Sequence, residues 1–251
     1  MLRLIEAEAD SQRADANRVR ERVYCEEERM LESSAPSASR RSLGSETELL
    51  VYAGTEAVGT VRLRVVAPDA QASDPLGGLE LASKFRLRGF EKPSVVVGEV
   101  GGFCILRPYR GTRVASLLFG ALRCVSRRRS VTHWVAAANT ETDSAEEAEI
   151  VYRLLHAKRL VSTAFHALAK SAEEHPRPRR FIYTPDERRR ASRGDLQALQ
   201  LPKVVALFAG KMGARYIGRP VYHRDFNVFA TPLAVELSQL DRVGSGRAVA
   251  P

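Results

Sequence analysis

The stretch from Val95 to Val125 constrains the fold more than any other part of the chain. A β-rich run, Val95-Val-Val-Gly-Glu-Val-Gly-Gly-Phe-Cys-Ile-Leu, breaks at Pro108 and turns through Arg110-Gly111-Thr112. The period then changes, with apolar residues at Val114, Leu117, Leu118, Ala121, Leu122 and Val125. That is helical spacing. A strand feeding through a basic, glycine-bearing turn into a helix start is an anion-binding design. Free backbone N–H groups and the positive end of the helix dipole converge on one place. Glu99 puts a lone carboxylate upstream on the same strand.

The rest of the sequence supplies the surroundings of this unit. Hydrophobic residues make up 44% of the 251, enough for a sizeable core. The formal net charge of +9 suits an acidic partner, whether nucleic acid, an anionic membrane or an acidic protein. A purely solubilising charge is the plain alternative. Cys25, Cys104 and Cys124 are odd in number and form no C-x-x-C pair, which fits a reducing compartment. The N-terminus turns acidic at once, and no apolar run approaches the ~18 residues of a membrane span. A soluble, cytoplasmic protein is expected. His133, His156, His166, His175 and His223 show no ligand spacing, so no metal site is expected.

Along the chain, Asn17 reads as the cap of a helix carrying Val19, Val23 and Tyr24 on one side. Residues 32–47 are Ser-rich and read as a loop. Strands over Glu48–Ala53 and Ala57–Val66, joined by Gly54-Thr55-Glu56, read as a hairpin. Val61, Leu63 and Val65 share one face of its second strand, and Thr60, Arg62 and Arg64 the other. Residues 67–79 are turn-rich, and Leu79–Phe90 reads as a short helix. After the helix Val114–Arg129, Ser130–Asn139 reads as a strand parallel to the one before it, because a helix connects them. Glu147–Lys170 reads as a helix with an ambiguous middle at His156-Ala-Lys-Arg. Residues 171–200 carry arginine runs at 177–180 and 188–190 and read as a basic insertion or lid. A helix over Pro202–Lys211, a strand or turn from Ala214, a last strand over Asn227–Leu237 and a flexible tail from 241 to 251 complete the order. The expectation is one α/β domain over residues 1–240 with a mixed sheet and an antiparallel first half.

This order, with a basic turn opening the central helix, resembles the GNAT acyltransferase superfamily. Arg110-Gly-Thr-Arg-Val-Ala115 is similar to that family's Arg/Gln-x-x-Gly-x-Gly/Ala pyrophosphate loop, with Arg113 where glycine is usual. Arg18-Val-Arg-Glu-Arg-Val-Tyr-Cys-Glu-Glu resembles the N-terminal helix of autoinducer-synthase-like and N-acyl amino acid synthase proteins. Val58-Gly-Thr-Val-Arg-Leu63 looks like their Val-Gly-x-x-Arg-Leu strand. Glu99-Val-Gly-Gly-Phe-Cys-Ile105 is similar to their Glu-Leu-x-Arg-Leu-x-Val strand, with Gly102 in place of the arginine. Gly213-Ala-Arg-Tyr-Ile-Gly-Arg-Pro-Val-Tyr-His resembles the end of related ornithine-lipid-type acyltransferases. The resemblance covers roughly residues 17–237, with 171–200 outside it.

The resemblance implies a GNAT-like fold whose parallel strands splay around a central helix, and amide formation from an acyl thioester and a primary amine. The phosphopantetheine arm would lie where the Val95 and Ser130 strands part. The co-substrate would be acyl-phosphopantetheine, from an acidic acyl carrier protein or from CoA, with no tightly bound cofactor. Its phosphate would sit on Arg110, Gly111, Thr112, Arg113, Val114 and Ala115, and its arm along Phe103, Cys104, Ile105 and Leu106. Arg113 in place of glycine favours a carrier protein, which presents one phosphodiester. Glu99 is the candidate general base, because an amine near pKa 8 must lose a proton to attack. Its plain alternative is a structural carboxylate paired with Arg62 or Arg64. Arg20, Tyr24, Glu26 and Arg62 would face the acceptor, a small amine or amino acid, as would Glu27 on the same helix. Asn139 would orient amine or water. Ser116 and Cys104 lack a paired base, so no covalent intermediate is expected. The competing readings are an acetyl-CoA N-acetyltransferase, or a non-catalytic protein binding nucleic acid or a membrane surface through its arginine runs. Only Phe181 and Tyr183 interleave those arginines, which disfavours nucleic acid.

Overall fold

The computed structural model describes residues 1–30, 45–66, 76–171, 175 and 177–240. The loops expected at 32–47 and 67–79 fall largely outside these residues, and the tail from 241 falls wholly outside them. The described chain forms two compact units, residues 1–79 with 96–132 and residues 80–95 with 133 onward.

In the first unit, strands β1 (Leu2–Glu6), β2 (Ser45–Ala53), β3 (Glu56–Val65) and β5 (Val97–Ile105) pair in that order, all antiparallel. The predicted hairpin is β2–β3, and Leu49, Val61 and Leu63 are fully buried. Alternation places the polar set on the other face. On it, Glu46 stands opposite Arg64 and Arg64 opposite Glu99, while Glu48 stands opposite Arg62 and Arg62 opposite Gly101. Helix α1 (Asp10–Glu21) covers this second face, with Ala16 packed against Leu50 and Tyr52. It begins seven residues before the predicted Asn17 cap. Asn17 lies inside the helix and accepts from Arg20 Nη1 at 3.0 Å. A π-helical turn over Arg22–Glu27 follows directly. Helix α3 (Arg113–Arg128) takes the first face. It approaches so closely that a Cβ on Gly59 would lie 2.6 Å from Val114.

Strand β5 carries a bulge. The two-residue step from Thr60 to Arg62 on β3 faces a three-residue step from Gly101 to Cys104 on β5. The extra residue is taken up at Gly102, whose φ of +58° lies in the left-handed region that glycine enters freely. The bulge re-aims everything after it. Phe103 stacks on Phe119 of α3 at 4.6 Å, while Cys104 stands opposite Thr60 on the polar face.

In the second unit, β10 (Val228–Glu236) pairs antiparallel with β6 (His133–Asn139), β8 (Arg215–Tyr216) and β9 (Val221–His223). The predicted helix over 79–90 is a single turn, α2 (Leu81–Lys84), followed by strand β4 (Phe85–Arg88). Phe85 and Leu87 are buried while Arg86 and Arg88 are exposed, a period of two that pairs with β7 (His166–Ala169). The helix predicted to reach Lys170 stops at the ambiguous His156 region, as α4 (Ala145–Ala157). Residues 177–200, read as an insertion or lid, are tied down by two acids. Asp143 accepts the backbone N–H groups of Arg179 and Arg180 at 2.8–3.0 Å. The fully buried Glu147 accepts those of Ile182 and Tyr183. Helix α5 (Pro185–Ser192), started by a Thr184–Glu187 capping box, and helix α6 (Lys203–Met212) follow. Among the described residues, no helix is long and apolar enough to cross a membrane.

Candidate active site

The polar face of the first unit gathers side chains that are distant in sequence. Glu48 accepts from Thr60 Oγ1 at 2.6 Å and is ion-paired with Arg20. Both Thr60 and Glu48 are buried, so a charge here demands a partner. Burial works against the Arg20 cation, yet Glu48 more than offsets it and raises the Arg20 pKa. Burial likewise pushes the Cys104 thiol up to about 11, with the Tyr24 hydroxyl donating a hydrogen bond to its sulfur. Tyr24 is itself raised well above its usual range by burial and by the charge of Cys104. Both groups are therefore protonated at neutral pH.

Arg20 Nε is buried with no hydrogen-bond partner. It lies 2.4 Å from where a Cβ on Gly102 would be. This gives the glycine at 102 a physical reason: the backbone is left-handed there, and Arg20 fills the space above it. Gly102→Ala is expected to cost about 2–4 kcal/mol, combining left-handed strain and overpacking. Urea unfolding would read it, and an unchanged midpoint would remove this account.

Beside this cluster runs a second row. Arg64 reaches Glu46 at 3.1 Å and Glu99 at 3.7 Å, and Arg62 reaches Glu46 at 3.9 Å. Arg62 Nη2 also covers Gly101, 3.4 Å from its Cβ position.

The turn before α3 is built from a 3-10 turn (Arg107–Tyr109) and the helix cap Thr112, whose Oγ1 accepts from the Val114 N–H. Glu27, at the end of the π-helical turn, accepts the Arg107 N–H at 2.9 and 3.1 Å. Arg110 donates to Glu28 and Glu27, each at 2.6 Å, and to the Ile105 carbonyl at 3.0 Å. Arg113 is exposed in the first turn of α3 and makes no ion pair among the described residues. A bulged strand, an arginine turn and a capped helix thus meet in one unit, next to a polar face covered by a second helix.

Residues 19–120 match the family model described as an acetyltransferase (GNAT) domain. Residues 19–120 belong to the GNAT acyltransferase superfamily. Residues 19–120 are accordingly an acyltransferase domain, within a chain of mixed α/β fold. Among solved structures it is similar to FeeM, an N-acyl amino acid synthase from uncultured soil microbes. Identity is 13% over 96% of this chain and 94% of that one, with a TM-score of 0.49. It is also similar to an aminoglycoside 6'-N-acetyltransferase complexed with coenzyme A, at 10% identity over 94% and 97% of the two chains and a TM-score of 0.48. Escherichia coli ElaA is 10% identical over 94% and 99%, with a TM-score of 0.46. All three are distant likenesses. No curated protein matches the chain.

Within the GNAT domain, the structure brings Arg20, Tyr24, Arg62, Cys104 and Glu99 onto one sheet face. Five expected residues are placed otherwise. Glu26 is exposed, and Glu27, on the same turn, holds the arginine turn instead of facing an acceptor. Phe103 points to the α3 side because of the bulge. Arg110 is bound up by two carboxylates, so it is not a free phosphate donor. Asn139 lies in the other unit, where its Oδ1 accepts the Glu141 N–H at 2.6 Å and shapes the turn after β6. Ile105 lends Arg110 its carbonyl, and Leu106 is buried, its N–H on the Val58 carbonyl at 3.0 Å. Gly111 takes φ +77° in the turn. Val114 is fully buried and Ala115 half-buried at the start of α3. Glu48, the anchor of Arg20, was passed over as an ordinary hairpin residue. Its signal was a glutamate at an otherwise apolar strand position, next to Leu49. Among the described residues, no group of three His, Cys, Asp or Glu could hold a metal ion.

Proposed function

We propose that this GNAT domain joins a long acyl chain to the amino group of an amino acid or similar amine. The acyl group comes from the phosphopantetheine thioester of an acidic acyl carrier protein. The observation that carries the donor half is the division of labour in the arginine turn. Arg110 is neutralised by Glu27 and Glu28, while Arg113 stays exposed beside the first-turn N–H groups of α3. One exposed cation at a helix start suits one phosphodiester. The net charge of +9 suits an acidic protein beyond it.

On the acceptor side, Arg62 offers its guanidinium group to a carboxylate, and Glu99 offers a carboxylate to the amine; Arg20 stays with Glu48 beneath them. The amine gives a proton to Glu99 and its nitrogen attacks the thioester carbon. The new C–N bond forms, the C–S bond breaks, and the departing thiolate takes the second proton that the nitrogen sheds as it becomes an amide. Backbone N–H groups near the bulge would steady the oxyanion.

The test is a donor comparison on the purified chain. With a C14–C18 acyl group, kcat/KM for acyl-carrier protein is expected to exceed that for acyl-CoA by about tenfold, equivalent to ~1.4 kcal/mol. Equal values would end the carrier-protein reading. Rapid turnover of acetyl-CoA alone would favour the short-chain N-acetyltransferase instead, a reading that suits the description of the matched family.

A further inference from the structure

The three arginines of the donor turn do not act alike. All three nitrogens of the Arg110 guanidinium are occupied, one by the Ile105 carbonyl and one each by Glu28 and Glu27. Arg107 donates its backbone N–H to the Glu27 carboxylate and its Nη2 to the Glu27 carbonyl at 2.8 Å. The π-helical turn delivers both acids: its wider register carries Glu27 and Glu28 to a loop some 80 residues further along the chain. Three cations and two carboxylates leave the turn with about one positive charge.

We propose that Glu27 and Glu28 set the choice of donor by cancelling Arg110, so that the turn accepts a single phosphodiester and resists a polyphosphate. The proposal rests on the acyl-transfer reading above. Its physics is Coulombic. A phosphodiester brings one negative charge to the turn. CoA brings a pyrophosphate and a further phosphate, more negative charge than the one net positive charge left on the turn can balance. At separations of 6–8 Å in a water-like surrounding, each added charge changes affinity by about threefold. Glu27 also braces the turn through the Arg107 N–H, whereas the bond from Glu28 to this loop goes to the Arg110 side chain. Glu28 is therefore the residue at which charge can be removed with the brace left in place.

The experiment measures binding by titration calorimetry on the full chain, with CoA, phosphopantetheine and pantetheine as the three probes. With phosphopantetheine supplied as its methyl ester, a phosphodiester of one charge, Glu28→Gln is expected to tighten CoA by about tenfold and that ester by about threefold, and to leave pantetheine unchanged. The gain should shrink in 0.5 M salt, where screening is short-ranged. It should vanish in the double variant with Arg110→Gln, while Glu28→Asp should match the parent. A variant that shifts all three probes alike, or leaves CoA unchanged, overturns the proposal and leaves the pair as a structural strap. So does failure of CoA to bind either form. Because the readout is binding, a parent enzyme that prefers acyl-CoA in turnover would defeat the carrier-protein reading without deciding this one.

Discussion

Glu147→Ala is expected to destabilise the second unit by about 3–5 kcal/mol, the scale set by stripping the partner from several buried donors at once. Glu147 is fully buried at the start of α4. Its carboxylate accepts the N–H groups of Ile182 at 2.8 Å and Tyr183 at 3.1 Å, and the Thr142 hydroxyl at 2.9 Å. It also faces Arg188 at 3.7 Å. Alanine leaves two backbone donors and a cation without their acceptor and opens a cavity where water has poor access. Glu147→Gln keeps one carbonyl oxygen for the N–H groups and should recover about half of the loss. Urea unfolding gives the energy. Limited proteolysis gives the place, with cleavage first among the arginines between 177 and 193. Loss of global stability without early cleavage there would mean that Glu147 supports α4 and not the basic segment.

Glu99→Gln is expected to lower kcat by about a hundredfold, within the range that a general base contributes. Acceptor KM should change by less than threefold. The structure makes this a clean experiment. Glu99 faces Arg64, and Arg64 keeps Glu46 at 3.1 Å when Glu99 is neutralised. Arg64 is therefore not stranded, so the fold should hold, and thermal unfolding should move by only a few degrees. The same geometry supplies the rival account, a carboxylate present only to complete the ladder from Glu46 through Arg64 to Glu99. Mass spectrometry of lipid extracts from an expressing host separates the two accounts. Full yield of the acylated amine from the variant would remove Glu99 from the mechanism.

Parts of this site could be read directly because they depend on near neighbours. The two-residue period of Val61 and Leu63 placed Arg62 and Arg64 together on the far face. The change of period after Gly111 marked the start of α3 to within one residue. The segment at 85–88 was misread because four residues are too few to separate a strand from a helical turn, and only its ladder with β7 decides. What holds the basic segment was not legible because net composition shows arginines, while the acids that bind its backbone lie some 36 residues earlier.

The amino-acid order alone determined the strand–turn–helix, the hairpin and its faces, since these follow from local backbone preference and side-chain alternation. Tertiary structure decided which charges remain available. Opposite charges find each other through space: Glu27 cancels Arg110, Glu48 holds Arg20, and Arg113 is left exposed. It also decided the meaning of Gly102. In the sequence it marks a missing arginine. In the fold it is the one residue whose backbone can turn left-handed while Arg20 lies against it.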